Sequence, residues 1–361
     1  MPLTFAPPSD AFVLGAGFSM AIGRPMLSTE DLGQRVLATQ RSIHEGHVRT
    51  HSAICDGLSC DYPILSRGAL PAADFEAWLS ALAESQPYLL SPENDRRRAL
   101  FSELKGLIAL VVTAAVETTV ARQEPPQWLE TLVETWNEKR AELVTFNYDT
   151  LVEATVDHLN LAAPYPPDGG PQRLTYQVVG PSVFPSFQMM YGGLRLPPAD
   201  SFRYRKLHGS THWYWDEMTH AADSMVEVGL RSHWNDVAPE YSDEELHQYR
   251  APGKEPMIVP PTTIKSIYFD NPAIRFLWHD AYKALLAARR VFVIGYSLPR
   301  ADLLVRSMLT DSLEDTEIWI VNPDEGVGER FEELGVGALN REFCGRDGDL
   351  MVEFVDRYRA L

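Results

Sequence analysis

The sequence predicts an α/β protein built on a doubly wound, mainly parallel sheet with helices on both faces and a helical insertion. Three observations lead there. Short apolar runs rich in branched and aromatic residues recur at 11–14, 142–146, 291–294 and 317–321, and such runs read as strands buried on both sides. Segments with apolar residues at three- and four-residue spacing lie between them, as expected of strand–helix–strand units. Glycine or a small polar cluster (GAGFS, NYD, GYS, NPD) follows each run at once, the punctuation of a strand's carboxyl end.

In chain order, residues 11–14 read as a short buried strand running into GAGFS, and TEDLGQRVLATQ after it has the spacing of an amphipathic helix. From 75 to about 120, FEAWLSALAE and RRALFSELKGLIALVVTAAVETTVA repeat apolar residues at three and four, which predicts two helices of a helical module. These are packing elements first and candidates for self-association second. Residues 142–146 form an inner strand ending in NYD. The Pro- and Gly-rich stretch 163–198 reads as irregular connections with room for a hairpin. Residues 203–207 supply another strand leading into HGS and the aromatic HWYWDEM. MIVPP reads as a strand, and NPAIRFLWHDAYKALLAA as a helix opened by an Asn cap and a first-turn Pro. VFVIGYS, the helix ADLLVRSMLTDSL, the strand EIWIVNP and a last apolar strand at 351–355 (MVEFV) complete the alternation. The expected organisation is one domain over 1–361, with a helical insertion at about 67–136 and irregular insertions at about 160–203 and 216–256.

A chain of 361 residues, 45% hydrophobic and 23% charged, is long enough for one large core and a second module. The net charge of −18, spread as short acidic clusters, would repel a phosphate backbone and argues against direct nucleic-acid binding. Three cysteines, Cys55, Cys60 and Cys344, make no paired disulfide framework, and their spacing suits no zinc ribbon. A reducing, cytoplasmic setting is expected. The segment MPLTFAPPSDAF lacks a basic leader with an apolar stretch, and the longest apolar run, 107–116, is short for a bilayer; no membrane association is expected.

Gly15 and Gly17 sit between a strand and a helix, where glycine lets backbone approach a pyrophosphate and present unpaired N–H groups to it. The usual third glycine is missing, and a tight strand–helix turn needs glycine in any case. Ser19 can cap the helix or bond a phosphate oxygen. Asn147 and Asp149 stand at one strand end and His208 and Ser210 at another; each is as readily a turn residue, a cap or a structural histidine as a catalyst. Gly295 and Ser297 follow a further strand, and Asn322 the next. Ligands of a doubly wound sheet bind beyond the carboxyl ends of its strands, so these clusters would converge on one crevice. The aromatic residues Trp213 to Trp215 are core, pocket wall or subunit contact.

The order GAGFS, TFNYD, LHGS, GYSLP and VNPD resembles the sirtuin superfamily, in particular the sirtuin-like NAD hydrolases of bacterial antiviral defence. The resemblance spans about residues 12–324 and implies a Rossmann-like fold with NAD as substrate. It implies that Gly15, Ala16, Gly17 and Ser19 hold the NAD phosphates. Asn147 and Asp149 would contact the nicotinamide and its ribose, with Asn147 ordering the attacking water and His208 acting as base at the ribose hydroxyls. Gly295 and Ser297 would line the phosphate and ribose path, and Asn322 would face the adenosine ribose.

Two features depart from the deacylases of that superfamily. The four zinc-binding cysteines expected between the histidine and the GYS segment are absent, so neither a zinc ribbon nor any metal is expected. The segment covering the nicotinamide pocket survives only as GRPML, where Arg24 is either a pocket residue or a solvated loop charge. The expected activity is therefore hydrolysis of NAD to nicotinamide and ADP-ribose, as a defence effector that depletes NAD. A protein deacylase would need an open groove for an acyl-lysine peptide, and a noncatalytic NAD or ADP-ribose sensor would not need both Asn147 and His208. The resemblance further implies control by homo-oligomerisation or by a separate subunit such as a HerA-type ATPase.

Overall fold

Strand β1 (Asp10–Leu14) has Ala11, Phe12, Val13 and Leu14 all fully buried. Consecutive strand side chains point to opposite faces, so both faces of the sheet at this point are covered. The computed structural model describes residues 10–46, 72–121, 123–163, 172–173, 201–215, 226–227, 233–235, 255–262, 268, 271–300, 302–346 and 348–361.

After β1 the chain turns at Gly15 into a short helix α1 (Ala16–Ile22), then α2 (Thr29–Gly46), α3 (Ala72–Ala83) and the long α4 (Ser91–Val120). Helix α4 starts where the Glu93 carboxylate accepts the backbone N–H of Leu90 at 2.9 Å, satisfying one of the amides that a helix start leaves unpaired. Helices α2, α3 and α4 bury their apolar stripes on one another around Val36, Phe75, Trp78, Leu104 and Ile108, a core separate from that of the sheet. The apolar stretch of α4 is longer than the run read from sequence: by length and composition the helix suffices to cross a bilayer, yet 56% of its most apolar 18 residues are buried inside the protein. Helix α5 (Gln127–Lys139) returns to the sheet, β2 (Glu142–Thr145) pairs parallel with β1, and α6 (Leu151–His158) follows the NYD turn.

Within the Pro- and Gly-rich stretch, β3 (Ala162–Ala163) and β4 (Gln172–Arg173) pair antiparallel; its remaining residues, and most of the 216–256 insertion, lie outside the described residues. Strand β5 (Arg203–Lys206) adds to β2. The HWYW segment is strand β6 (Gly209–Trp215), flanked antiparallel by β7 (Val226–Glu227) and β8 (Glu255–Ile258) in a separate three-stranded sheet. The strand read from MIVPP therefore exists but belongs to this second sheet. Trp213 and Trp215 are buried in the core, with Trp215 stacked on Tyr268.

Helix α7 (Pro272–Ala287) opens as expected, with the Asn271 side-chain oxygen accepting the N–H of Ile274 at 3.3 Å. Then come β9 (Arg290–Ile294), α8 (Leu303–Ser312), β10 (Glu317–Asn322), α9 (Gly326–Leu334), β11 (Leu339–Cys344) and α10 (Leu350–Arg359). The expected final strand at 351–355 is thus a helix. Its buried residues, Met351, Phe354, Val355 and Tyr358, fall at helical spacing, and a five-residue apolar run fits either period. The true last strand is β11, whose pattern of partly exposed residues hides it.

Among the described residues one six-stranded, all-parallel sheet has the order β11-β10-β9-β1-β2-β5. Counted along the chain this is 3-2-1-4-5-6, the Rossmann order, whose direction of winding reverses between its first and fourth strands. Phe12 and Phe292, register partners on β1 and β9, stack at 4.9 Å, and the edges of Trp136 from α5 and Tyr358 from α10 pack on Phe12. Helix α7 lies against β2 and β5 and touches α8.

At the reversal, the turns after β1 and β9 are in backbone contact. Gly15 N–H donates to Ile294 O at 3.0 Å and Gly17 N–H to Gly295 O at 2.9 Å. Gly295 has φ +62°, and a Cβ on it would stand 2.2 Å from Phe18 N. Gly295→Ala should cost about 3 kcal/mol or more, adding overpacking to a left-handed backbone penalty. Gly335→Ala, with φ +69° but open space around it, should cost only about 1–2 kcal/mol. Urea denaturation of the two variants checks the difference; equal losses would contradict the close contact.

Candidate active site

A cleft of about 790 Å3 opens beyond the carboxyl ends of β1, β2, β9 and β10, at the point where the winding reverses. Its size lies within the range of small-molecule sites. Apart from Ser210 and Arg24, which do not line it, the glycines and polar residues singled out at the strand ends meet here. Gly15, Ala16, Gly17 and Ser19 come from the first turn, Asn147 and Asp149 from the second, and His208 from the turn between β5 and β6. Gly295, Ser297 and Asn322 complete the wall from β9 and β10.

The first two turns are tied by side chains. Asn147 donates one amide hydrogen to Gly15 O and the other to Ser19 Oγ, both at 2.9 Å. Because Gly15 O can only accept, the amide orientation is settled, and Oδ1 is the polar atom of Asn147 left to act as an acceptor toward a ligand. Ser19 Oγ in turn donates to Asp149 Oδ2 at 2.6 Å, while Asp149 Oδ1 accepts the N–H of Leu151 at 3.2 Å at the start of α6. Ser19 and Asp149 are both buried. Asp149 therefore orients Ser19 and the following helix, and Ser19 is not a helix cap. The N–H groups of Gly15 and Gly17, expected to be unpaired, are spent on the β9 turn. The glycines serve the contact between the two turns.

His208 is buried among aromatic rings: Phe146 at 5.1 Å, Trp278 at 6.3 Å and Tyr148 at 6.4 Å between centroids. Tyr148 and Tyr296 also line the cleft. The Tyr148 hydroxyl donates to Val259 O at 2.6 Å and that of Tyr296 to Asp302 Oδ2 at 2.8 Å. Burial first, and then the negative charges of Asp302 and Glu76, push both phenols well above their ordinary ionisation range. At neutral pH neither is a base, and each keeps its proton as a donor.

Beneath the NYD turn lies a buried charge. Lys206 on β5 has no exposure, and its Nζ donates to Glu153 Oε1 at 2.8 Å, to Tyr148 O at 3.4 Å and to Asp149 O. Ser210 Oγ and Thr211 N–H also donate to Tyr148 O. The carbonyls of a strand-end turn would otherwise be buried without partners, so this cation and its neighbours hold the backbone that carries Asn147.

At the other end of the cleft, Asn322 Oδ1 accepts the N–H of Asp324 at 3.0 Å, so its side chain also shapes its own turn. Arg330 donates to Ser297 O at 2.8 Å and to Asp324 Oδ2 at 2.7 Å, bracing the β9 turn against the β10 turn. Arg346, from the segment after β11, reaches the wall.

Sequence reasoning missed Phe146, Tyr148, Tyr296, Glu76, Asp302 and Arg346 as parts of this wall. Phe146 and Tyr148 flank Asn147, and Tyr296 lies between Gly295 and Ser297, so adjacency to the motifs is the signal that could have found those three. Glu76 from α3 carries no such signal. Arg24 is exposed in a turn, and the residues lining the cleft do not include it. Cys55 and Cys60 lie outside the described residues. No known protein-family model matches this chain, and no curated protein matches it.

Two outcomes follow from this geometry. Lys206→Met strands the buried Glu153 carboxylate and should cost about 3–5 kcal/mol, whereas Lys206→Met with Glu153→Leu should recover much of that loss. Denaturant melts of the single and double variants measure this. Asp324 is held below its ordinary value of 3.8, first by the hydrogen bond from Arg330 and then by the Gly326 N–H. A depressed carboxyl stabilises the fold above its unfolded pKa and loses that contribution as pH falls through its folded value. An NMR titration should therefore place the Asp324 midpoint below 3.8, and Arg330→Met should raise it.

Proposed function

We propose that the cleft binds NAD and that the protein hydrolyses the bond between nicotinamide and ribose. The observation that carries this reading is the setting of Asn147. Both of its amide hydrogens are held by the glycine turn and Ser19, and its acceptor oxygen remains for a water in the cleft that His208 shares. The class of ligand is supported by the Rossmann strand order and by a cleft at its reversal, where such sheets take dinucleotides.

The chemistry asks little of an acid. Nicotinamide bonded to ribose is a cationic pyridinium, and it departs neutral by taking the electrons of the C1′–N bond. Positive charge grows on C1′. A water oriented by Asn147 Oδ1 forms the new C1′–O bond, and its proton passes to His208 and then to solvent. The products are nicotinamide, ADP-ribose and a proton. The buried, hydrogen-bonded floor supplies fixed dipoles in place of reorganising water. The phenols of Tyr148 and Tyr296 stay protonated and do not compete with the imidazole as base. A role as a cytoplasmic antiviral effector, working as a homo-oligomer or with an ATPase partner of HerA type, extends the same reading and rests on the motif resemblance.

Purified protein incubated with NAD should release nicotinamide and ADP-ribose without any acylated peptide. Asn147→Ala and His208→Ala should each slow release by about a hundredfold or more. Release at the wild-type rate from either variant would remove that residue from the mechanism. Loss in Asp302→Asn or Glu76→Gln, with His208→Ala fully active, would move the base to a carboxylate. NAD binding by calorimetry without turnover would favour a sensor.

A further inference from the structure

The hydroxyl of Tyr148 takes no part in the chemistry above, yet it is buried and bonded at 2.6 Å to Val259 O. That residue is the hinge of a closed connection. The Val259 N–H donates to His208 O at 2.8 Å, so one residue of the segment after β8 is held by Tyr148 through its carbonyl and holds His208 through its amide. The two side chains also face one another, with ring centroids 6.4 Å apart and planes inclined by 30°. The segment after the histidine is fixed as well: Tyr148 O accepts from Thr211 N–H and Ser210 Oγ, which follow His208 by three and two residues. Asn147 precedes Tyr148 directly, so the residue beside one proposed catalytic group is tied to the other twice, through Val259 to the carbonyl of His208 and directly to the backbone and side chain that follow it.

We propose that Tyr148 is a positioning residue: its hydroxyl, acting through Val259, and its ring together set the orientation of the His208 imidazole relative to Asn147. The role rests on the reading of the cleft as a hydrolase site, but the geometry it describes is independent of that activity. An imidazole on a short turn between two strands has rotational freedom about χ1 and χ2. Phe146 and Trp278 limit that freedom by packing, and the Trp278 indole N–H also anchors the turn ahead of the histidine by donating to Leu207 O at 3.1 Å, whereas the Tyr148 hydroxyl, through Val259, anchors the carbonyl of His208 itself. A displacement of about 1 Å in a catalytic group can cost on the order of a hundredfold in rate. A donor removed from Val259 O is therefore expected to act on turnover more than on binding.

The test is Tyr148→Phe, which keeps the ring and deletes the bond, beside Tyr148→Leu, which deletes both. Tyr148→Phe should lower kcat for nicotinamide release roughly tenfold with KM for NAD within about twofold of wild type, and Tyr148→Leu should lower it further. In the same Phe variant, NMR of ring-labelled histidine should show the His208 resonances displaced and their titration altered, and the acid limb of the kcat profile should move with them. A purely structural role would lower the melting temperature and leave both titrations in place. Folded Tyr148→Phe with His208 resonances and titration superimposable on wild type would overturn the proposal. Should that variant fail to fold, the wild-type protein decides: a nuclear Overhauser effect between the Tyr148 and His208 rings is expected, and its absence would overturn the proposal equally. If the wild type releases no nicotinamide, the hydrolase reading fails, and the His208 resonances still decide the positioning role.

Discussion

Two turns of backbone, the one after β1 and the one after β9, approach so closely that Gly15, Gly17 and Gly295 have no room for a Cβ where they meet, and the candidate site depends on that contact. Gly17 N–H meets Gly295 O, and Gly295 meets Phe18 N at a distance no Cβ would allow. The carbonyl of Gly15, left facing the second turn, becomes the acceptor for Asn147. One backbone contact thereby fixes the first turn, and one carboxamide carries its position across to the next.

The floor of the cleft is polar and paired. Asn147, Ser19 and Asp149 form one chain of hydrogen bonds, and Lys206 with Glu153 supports the carbonyls beneath them. Buried groups with partners on several elements have little freedom to reorient, which is the condition for preorganised electrostatics. The buried ion pair is not in itself a source of stability, since desolvation offsets most of its attraction. What it provides is a defined geometry for a turn that would otherwise have carbonyls to satisfy.

The walls differ from the floor. Glu76, Val112 and Ala115 come from the helical module, whose core is separate from that of the sheet, while Phe146, Tyr148 and Tyr296 extend the motif turns with aromatic surface. Arg346 is the only Lys or Arg among the described residues lining the cleft, in a chain of net charge −18. Any anionic portion of a ligand thus meets one guanidinium and no broad basic field.

The strand runs and the polar turns that end them were legible because both are local: period, length and punctuation are written in adjacent residues. The same local reading failed at 351–355, where five apolar residues fit a helix as well as a strand, and at β11, where an edge strand lacks the continuous apolar signature. By itself the sequence determined which residues stand at the carboxyl ends of the strands. Tertiary structure alone decided what they do there. It spent the glycine amides on a neighbouring turn, bound Ser19 to Asp149 and enclosed His208 with rings from 146, 148 and 278. Those partners lie far apart in the chain, and no periodicity records which donor a buried acceptor will find.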